Sequence, residues 1–270
     1  MGVKKKLEII LFLIVIMSCM RLQRVFSEEL TELEKKIFSN SSPKRNIENN
    51  FKFKSEKLKF KLWWEFIYAG ESETSCEMDI VENRKIWHIT TNTKSSPAID
   101  IIYKMRNRTD SCVDYEGMYS LKFVKNQLEG NFVSEEYVLF DNENGKWYSK
   151  LKDKSGEMSL FVQDIVSSLY FLRTQNLKLT ERYKIDVYTS GVIYPMIVEV
   201  LAKETLTIKG KKYSCFKVEP KIDEEKFGLF KLKGKLWVWL TDDDKCLPVK
   251  LQTKVFIGSV YALLDEVVVE

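Results

Sequence analysis

The sequence predicts a mainly β protein, built as an antiparallel, strongly curved sheet, barrel or half-barrel, with one substantial helix at about residues 160–174. Three observations support this fold class. Apolar and polar residues alternate with a period of two over long segments, short turn sequences separate those segments, and no regular alternation of strands and helices indicates parallel βαβ units. Residues 51–270 are predicted to form a single domain, since β domains of this size are often one unit.

Two segments carry the clearest strand pattern. Residues 57–68, KLKFKLWWEFIY, alternate along their whole length and are predicted as one long strand, and residues 230–240, FKLKGKLWVWL, repeat the pattern. In both segments the face that begins with lysines ends with tryptophans. An aromatic stretch on a charged face predicts that this face passes from solvent into a covered region.

Short turns are predicted between the strands. Asn144–Gly145 has the composition of a type I′ hairpin turn, and Lys209–Gly210 joins two further strand segments. Asp242, Asp243 and Asp244 are adjacent, which raises the question of calcium. The spaced ligands and the glycine of a calcium loop are missing around them, so we predict a turn.

The N-terminus predicts export. Three lysines precede the apolar run Ile9–Met17, and cleavage of a signal peptide after Ser27 would leave residues 28–50 as a short helix and flexible tether. Two alternatives stay open. Residues 16–19, IMSC, resemble a lipobox and would make Cys19 a lipidated N-terminus, and an uncleaved anchor would retain the segment. All three place the folded part outside the cytoplasm, most simply in the periplasm.

Composition and charge argue against several classes of function. The net charge of +4 comes from residues 1–27, so residues 28–270 are formally neutral and offer no general attraction for nucleic acid. His88 is the only histidine, which disfavours histidine-based catalysis and zinc. We therefore expect no metal and no cofactor. The four cysteines that would remain after cleavage permit two disulfides in any of three pairings; they are Cys76, Cys112, Cys215 and Cys246.

Residues 162–173, VQDIVSSLYFLR, are read as a helix with an apolar stripe. On a helical wheel Asp164 and Ser167 fall opposite that stripe, Phe171 projects from the polar side, and Arg173 lies in line with the apolar residues. We expect the helix to close the open side of the curved sheet. Phe171 should then touch another element or a bound molecule, and Arg173 should be held by a carboxylate or by backbone carbonyls.

This helix segment, the later segment GKLWVWLTDDDKCLPVKL and the segment FIGSVYALL occur in the order found in the exported bacterial proteins of Domain of Unknown Function 3108. The chain resembles that family from about Glu56 to Leu264. The resemblance implies a fold and an exported location, but no activity. The residues that match its pattern are Asp164, Ser167, Tyr170, Arg173, Gly234, Trp239, Asp243, Pro248 and Gly258. Thr241 and Cys246 depart from it.

The function that these features favour is that of a non-enzymatic binding or carrier protein of the cell envelope for an apolar or lipid-like ligand. The candidate ligand contacts are Trp63, Phe171, Trp237 and Trp239. A structural or interaction module in envelope assembly is the alternative, and a hydrolase with an unrecognised carboxylate site is the second alternative. Partners are then an apolar ligand or an envelope protein, with membrane association only through the N-terminus if it is uncleaved or lipidated.

Overall fold

The structure is a computed structural model, and it describes residues 29–39, 43–47, 49–151, 153–222, 235–255 and 257–270. Helix α1 spans 29–39, and two further helices are described, α2 (Pro97–Asp100) and α3 (Ser167–Arg173). None of the described helices has the length and apolar character needed to cross a bilayer. The first eight strands are β1 (Ser55–Trp64), β2 (Ile67–Val81), β3 (Arg84–Ser95), β4 (Met105–Asp114), β5 (Ser120–Glu129), β6 (Phe132–Asp141), β7 (Lys146–Ser149) and β8 (Lys154–Glu157). The remaining strands are β9 (Gln163–Asp164), β10 (Arg182–Thr189), β11 (Val192–Ile208), β12 (Lys211–Ile222), β13 (Leu236–Thr241), β14 (Pro248–Lys254) and β15 (Ser259–Val269).

All these strands belong to one sheet, in the order β8-β7-β6-β5-β4-β3-β2-β1-β15-β14-β13-β12-β11-β10-β9. Each half is a meander of hairpins, and the halves meet where β1 pairs with β15. Neighbouring strands are antiparallel except β9 and β10, which are parallel. The sequence-based prediction of a large antiparallel sheet is therefore confirmed.

The hydrogen-bonded ladder does not close, but side chains bridge its two ends. Tyr188 of β10 packs edge-on against Phe140 of β6 and Trp147 of β7, with ring centroids 5.4 and 5.1 Å apart. One backbone bond, from the Ser120 amide to the Val162 carbonyl at 3.0 Å, joins the same regions. The sheet is thus curled into a barrel-like form whose last gap is filled by apolar contact.

Helix α3 lies on the concave face, which we call the inner face. Its Leu172 packs against Val198 and Val218 of the second half of the sheet, and its Tyr170 packs against Trp87 and Ile89 of the first half. One short helix therefore joins the cores of both halves. Residues on the inner face alternate along each strand with residues on the opposite, outer face, which carries most of the lysines.

The N-terminal segment covers part of both faces. Helix α1 places Ile37 and Phe38 against Leu121 and Leu139, on the outer face of β3–β6. The described part of the predicted tether also lies against the domain, because the Arg45 Nε donates to the Gly117 carbonyl at 2.7 Å.

The structure corrects three details of the sequence-based prediction. The strand predicted at 57–68 ends at Trp64, and Glu65, with a φ of 51°, opens a tight turn into β2. The helix predicted at about 160–174 begins only at Ser167. Residues 142–145 form a four-residue turn, and Gly145 alone among them has a positive φ, so the turn is not type I′.

Candidate functional site

Arg173, at the end of α3, makes four hydrogen bonds on the inner face. Its Nη1 and Nη2 donate to the two carboxylate oxygens of Glu56, at 2.7 Å each, and its Nε and Nη2 also donate to the carbonyls of Cys246 and Lys245, at 3.1 and 3.2 Å. Both charged side chains are buried. This fork-to-fork pair links α3 to β1 and to the turn after β13, as expected for Arg173 from the sequence.

Aromatic rings enclose the ion pair. The Arg173 guanidinium lies 4.8 Å from the Tyr170 ring centroid and 5.0 Å from that of Phe51, and the Tyr170 hydroxyl donates to Glu56 at 3.4 Å. Burial alone lowers the pKa of Arg173, but the hydrogen bonds and negative charge of Glu56 outweigh burial and leave that pKa above its ordinary value. Burial also raises the pKa of Tyr170 well above normal. The arrangement stabilises the fold and leaves this cation little capacity for a ligand.

The turn after β13 is built by Asp243. Its Oδ1 accepts hydrogen bonds from the Thr241 hydroxyl at 2.7 Å and from the Cys246 amide at 3.1 Å, and the Thr241 hydroxyl accepts from the Leu247 amide at 2.7 Å. Thr241 thus supplies a hydroxyl, as the serine that is common in the family pattern would. In this turn the Cys246 carbonyl points towards Arg173 and accepts a hydrogen bond from its Nε.

A second buried polar cluster surrounds Asp164. Its Oδ2 accepts from the hydroxyls of Ser111 and Ser120 at 2.5 and 2.7 Å, and its Oδ1 accepts from the amides of Val166 and Ser167 at 2.8 and 2.9 Å. Asp164 therefore caps the start of α3 from outside the helix. Asp164 and Ser167, which fall opposite the apolar stripe on the helical wheel, are both fully buried.

The other family-pattern residues lie apart from these clusters. Pro248 begins β14 opposite Leu240, and Gly258 has a φ of 77° in the turn before β15, where an added Cβ would lie 2.5 Å from Glu65. Gly234 lies outside the described residues, as does Cys19. The pattern therefore combines residues that hold α3 with residues that shape turns.

The far end of the β11–β12 hairpin, residues 204–213, folds over the sheet, and we call it the arm. The Trp239 indole donates to Glu204 at 2.7 Å, and Lys209 Nζ bonds the Asp265 carbonyl at 3.2 Å. A shift in the β11–β12 register between Val200 and Ala202 precedes the arm. Such bulges bend a strand, which is how the arm reaches β13, β14 and β15.

A pocket of about 410 Å³ lies under the arm. Leu206 and Ile208 of the arm line one side, and Trp63 and Leu263 line the sheet side. Lys61, Lys209 and Lys250 also line it, together with Asp265.

Three of the four candidate ligand contacts belong to this part of the sheet. Trp63 lines the pocket itself, and Trp237 and Trp239 pack in the apolar cluster that the arm joins. Lys217 lies between the latter two rings, 5.3 and 5.1 Å from their centroids. The structure thus gathers three tryptophans that the sequence places in two distant strands.

Phe171, the fourth candidate, lies elsewhere. It is a half-buried residue of α3, and the Arg45 guanidinium stacks over its ring at 4.1 Å from the centroid. The partner that Phe171 was expected to have is therefore Arg45 of the N-terminal segment. The sequence offered no signal for Arg45, whereas Glu56 could have been found as a charged residue in phase with Leu58 and Phe60.

The four cysteines that the structure describes are free and buried, so the two disulfides that the sequence permits among them are not formed. Burial raises the pKa of Cys112 and Cys246 to about 12, which keeps both thiols protonated and unreactive. His88 lies on β3, with its Nε2 3.5 Å from an Asp110 carboxylate oxygen. Among the described residues, His, Cys, Asp and Glu side chains form no group that could hold a metal ion.

Comparisons with known proteins support the fold and the family. No curated protein matches the chain. A solved structure, described as a beta-barrel-like protein of Domain of Unknown Function DUF1849 from Brucella abortus, is similar with a TM-score of 0.57 and 12% identity, covering 82% of this chain and 99% of that one. The model of a protein family of unknown function, DUF3108, matches residues 59–265. This chain therefore belongs to the DUF3108 family.

Proposed function

We propose that the protein is an exported, non-enzymatic binding protein for an anionic amphiphile, a molecule with an apolar chain and an acidic head group. One observation carries the proposal: the pocket under the arm combines apolar walls with three lysines and one carboxylate. Its volume of about 410 Å³ is within the range typical of small-ligand sites. The apolar chain would lie between the arm and the sheet.

The charges around the pocket favour an acidic head group. Lys61 Nζ lies 3.4 Å from Asp265, and Lys209 pairs with the same carboxylate. Lys250 has no carboxylate within ion-pair distance in the described part of the chain; its Nζ lies over the Trp239 ring instead, 4.3 Å from the centroid. The pocket has more positive than negative charge, and a bound anion would balance it.

Burial adds to this preference. Lys250 is half-buried, and removal from water lowers the pKa of its ammonium group, although the nearby charge of Glu204 partly opposes the effect. A desolvated cation gains more from a bound anion than an exposed one, because the surrounding dielectric is lower. Lys250 is therefore the residue that we expect to contact the head group.

The test compares dodecanoate with its methyl ester, by isothermal titration calorimetry on the full chain. Dodecanoate should bind more tightly, and Lys250→Glu should weaken its binding by about ten-fold or more, with little effect on the ester. Lys184→Glu, the same charge change at an exposed site on β10, serves as the control. Equal affinities for the acid and the ester, or equal effects of the two variants, would contradict the proposal.

Export is tested separately. The intact mass of protein purified from the bacterial envelope should correspond to a chain that begins at Glu28, since the signal sequence predicts cleavage after Ser27. A diacylated Cys19 would instead identify a lipoprotein anchored in the membrane. Solvent extraction of the same preparation, followed by mass spectrometry, should release a stoichiometric acidic amphiphile.

A further inference from the structure

One end of the curled sheet exposes large apolar side chains at successive turns. Antiparallel pairing brings the β1–β2, β3–β4, β5–β6, β10–β11 and β14–β15 turns to the same end, which we call the rim. The large apolar side chains exposed there are Phe66, Ile67, Ile101, Ile102, Tyr103, Phe132, Val133, Val192, Leu236, Val255 and Ile257. Singly exposed apolar residues are ordinary, but a group at one end of a fold requires an explanation.

The degree of exposure sets the rim apart. Phe66, Ile101 and Ile102 are 88%, 87% and 81% exposed, and Ile257 and Val133 follow at 65% and 64%. These are the five most exposed large apolar side chains of the described residues. None of them contributes to the core, so the fold does not account for their identity.

The turns that carry these side chains are anchored. In the β3–β4 connection, the Ser96 hydroxyl caps α2, the Ser95 hydroxyl accepts from the Met105 amide at 2.7 Å, and Arg106 pairs with Asp100 at 2.5 Å. The Trp64 indole ties the β1–β2 turn to the β14–β15 turn. The apolar tips are therefore held outwards by the structure.

Three exposed lysines lie beside the tips. No carboxylate lies within ion-pair distance of Lys104, Lys235 or Lys254 among residues that the structure describes, and all three are exposed. By contrast, Glu65 accepts a hydrogen bond from the Ser259 amide, and Glu129 accepts one from Asn107. Asp100 is engaged by Arg106, so the acidic groups of the rim are already partnered.

We propose that the rim docks onto an anionic lipid bilayer, with the apolar tips inserted at the level of the acyl chains and the lysines at the head groups. Separate protrusions flanked by lysines that have no ion-pair partner among the described residues fit a bilayer, since an interface with another protein is typically depleted in lysine. Anionic head groups attract such lysines, and each apolar tip adds its burial free energy. This docking concerns a different surface from the pocket under the arm.

The first experiment measures co-sedimentation of the full chain with vesicles of phosphatidylcholine and phosphatidylglycerol, or of phosphatidylcholine alone. Binding should be stronger to the anionic vesicles and should weaken with added salt. The double variant Ile101→Ser/Ile102→Ser should lower the partition coefficient roughly a hundred-fold, because two exposed side chains would lose their insertion. Ile80→Ser is the matched control, since Ile80 is 58% exposed near the opposite end of β2.

The second experiment measures insertion at the rim itself. Residues 1–27 are the same in all variants, so any vesicle binding by them does not distinguish one variant from another. Phe66→Trp adds a fluorophore at a rim tip to the six native tryptophans, and the difference between its emission and that of the wild type should shift to the blue and be quenched by brominated acyl chains when vesicles are added. The corresponding difference between Ile80→Trp and the wild type should show neither change. An unquenched Phe66→Trp, or equal losses for Ile80→Ser and the double variant, would overturn the proposal. Dodecanoate binding by the double variant should be unchanged, so failure here leaves the proposed ligand site untouched.

Discussion

Removing one member of the buried Glu56–Arg173 pair should be among the most destabilising single changes in this protein. Glu56→Gln keeps the shape of the side chain but removes its charge. The Arg173 guanidinium would then remain buried with two carbonyls, at 3.1 and 3.2 Å, and with the amide oxygen of the glutamine as acceptor, but it would lose one of its two bonds of 2.7 Å and the negative charge that now neutralises it. Arginine stays protonated, so ionisation offers no relief.

The expected cost follows from that geometry. Loss of one partner of a fully buried, bidentate ion pair destabilises a protein by about 3–5 kcal/mol, a large part of the roughly 5–15 kcal/mol that a domain has in total. In a urea titration followed by far-ultraviolet circular dichroism, the midpoint should fall by roughly 1–3 M. The exposed pair of Lys59 and Glu266 provides the control, and Glu266→Gln should leave the midpoint unchanged.

A double variant separates the charge effect from the loss of packing. Glu56→Leu combined with Arg173→Met replaces the pair by apolar side chains of similar size, and such replacements are often close to neutral. The double variant should therefore be more stable than Glu56→Gln. The reasoning is refuted if Glu56→Gln unfolds at the wild-type midpoint, or if the double variant loses as much stability as the sum of its two single changes.

Three further outcomes are expected. Leu172→Ala should cost about 2–5 kcal/mol in chemical unfolding because Leu172 is in the core, whereas the half-buried Phe171→Ala should cost less; equal losses would place Phe171 in the core. Asp164→Asn should cost about 1–3 kcal/mol in the same assay, because an NH2 group would replace one carboxylate oxygen and would face the hydroxyl or amide groups that now donate to that oxygen. The stability of the fold should decrease as the pH rises from 9 towards 12. The thiols of Cys112 and Cys246 ionise near pH 9 in the unfolded chain but keep their protons to about pH 12 in the folded protein. Thermal melts that show the same stability across this range would contradict the prediction.

Local patterns in the sequence were sufficient for the fold class. A period of two in residues 57–68 marks a strand wherever that strand packs, because successive side chains always point to opposite faces. The break after Trp64 was missed because the turn contains none of the residues that usually signal one, and Glu65 adopts a positive φ without glycine. The family resemblance likewise depends on residues that are close together in the chain.

The burial of the polar residues at the start of α3 was not predicted from the sequence, for a different reason. A helical wheel assumes that polar side chains face water, but Asp164 and Ser167 are buried with Ser111 and Ser120, which come from strands more than 40 residues earlier. Those hydroxyls donate hydrogen bonds to the Asp164 carboxylate, and these bonds offset the free-energy cost of burying it. The partners of a polar side chain are set by tertiary packing and do not appear in the local pattern.

By itself, the sequence determined that this chain forms a large antiparallel sheet, and which residues alternate along each strand, because period and turn composition are local properties. Only the tertiary structure decided that the arm covers Trp239, that Arg173 meets Glu56 across 117 positions of the chain, and that separate turns combine into one apolar rim. Each of these depends on which strands pair and in which register. Pairing joins residues that are far apart in the chain, so the hydrophobic pattern of one segment does not specify its partner.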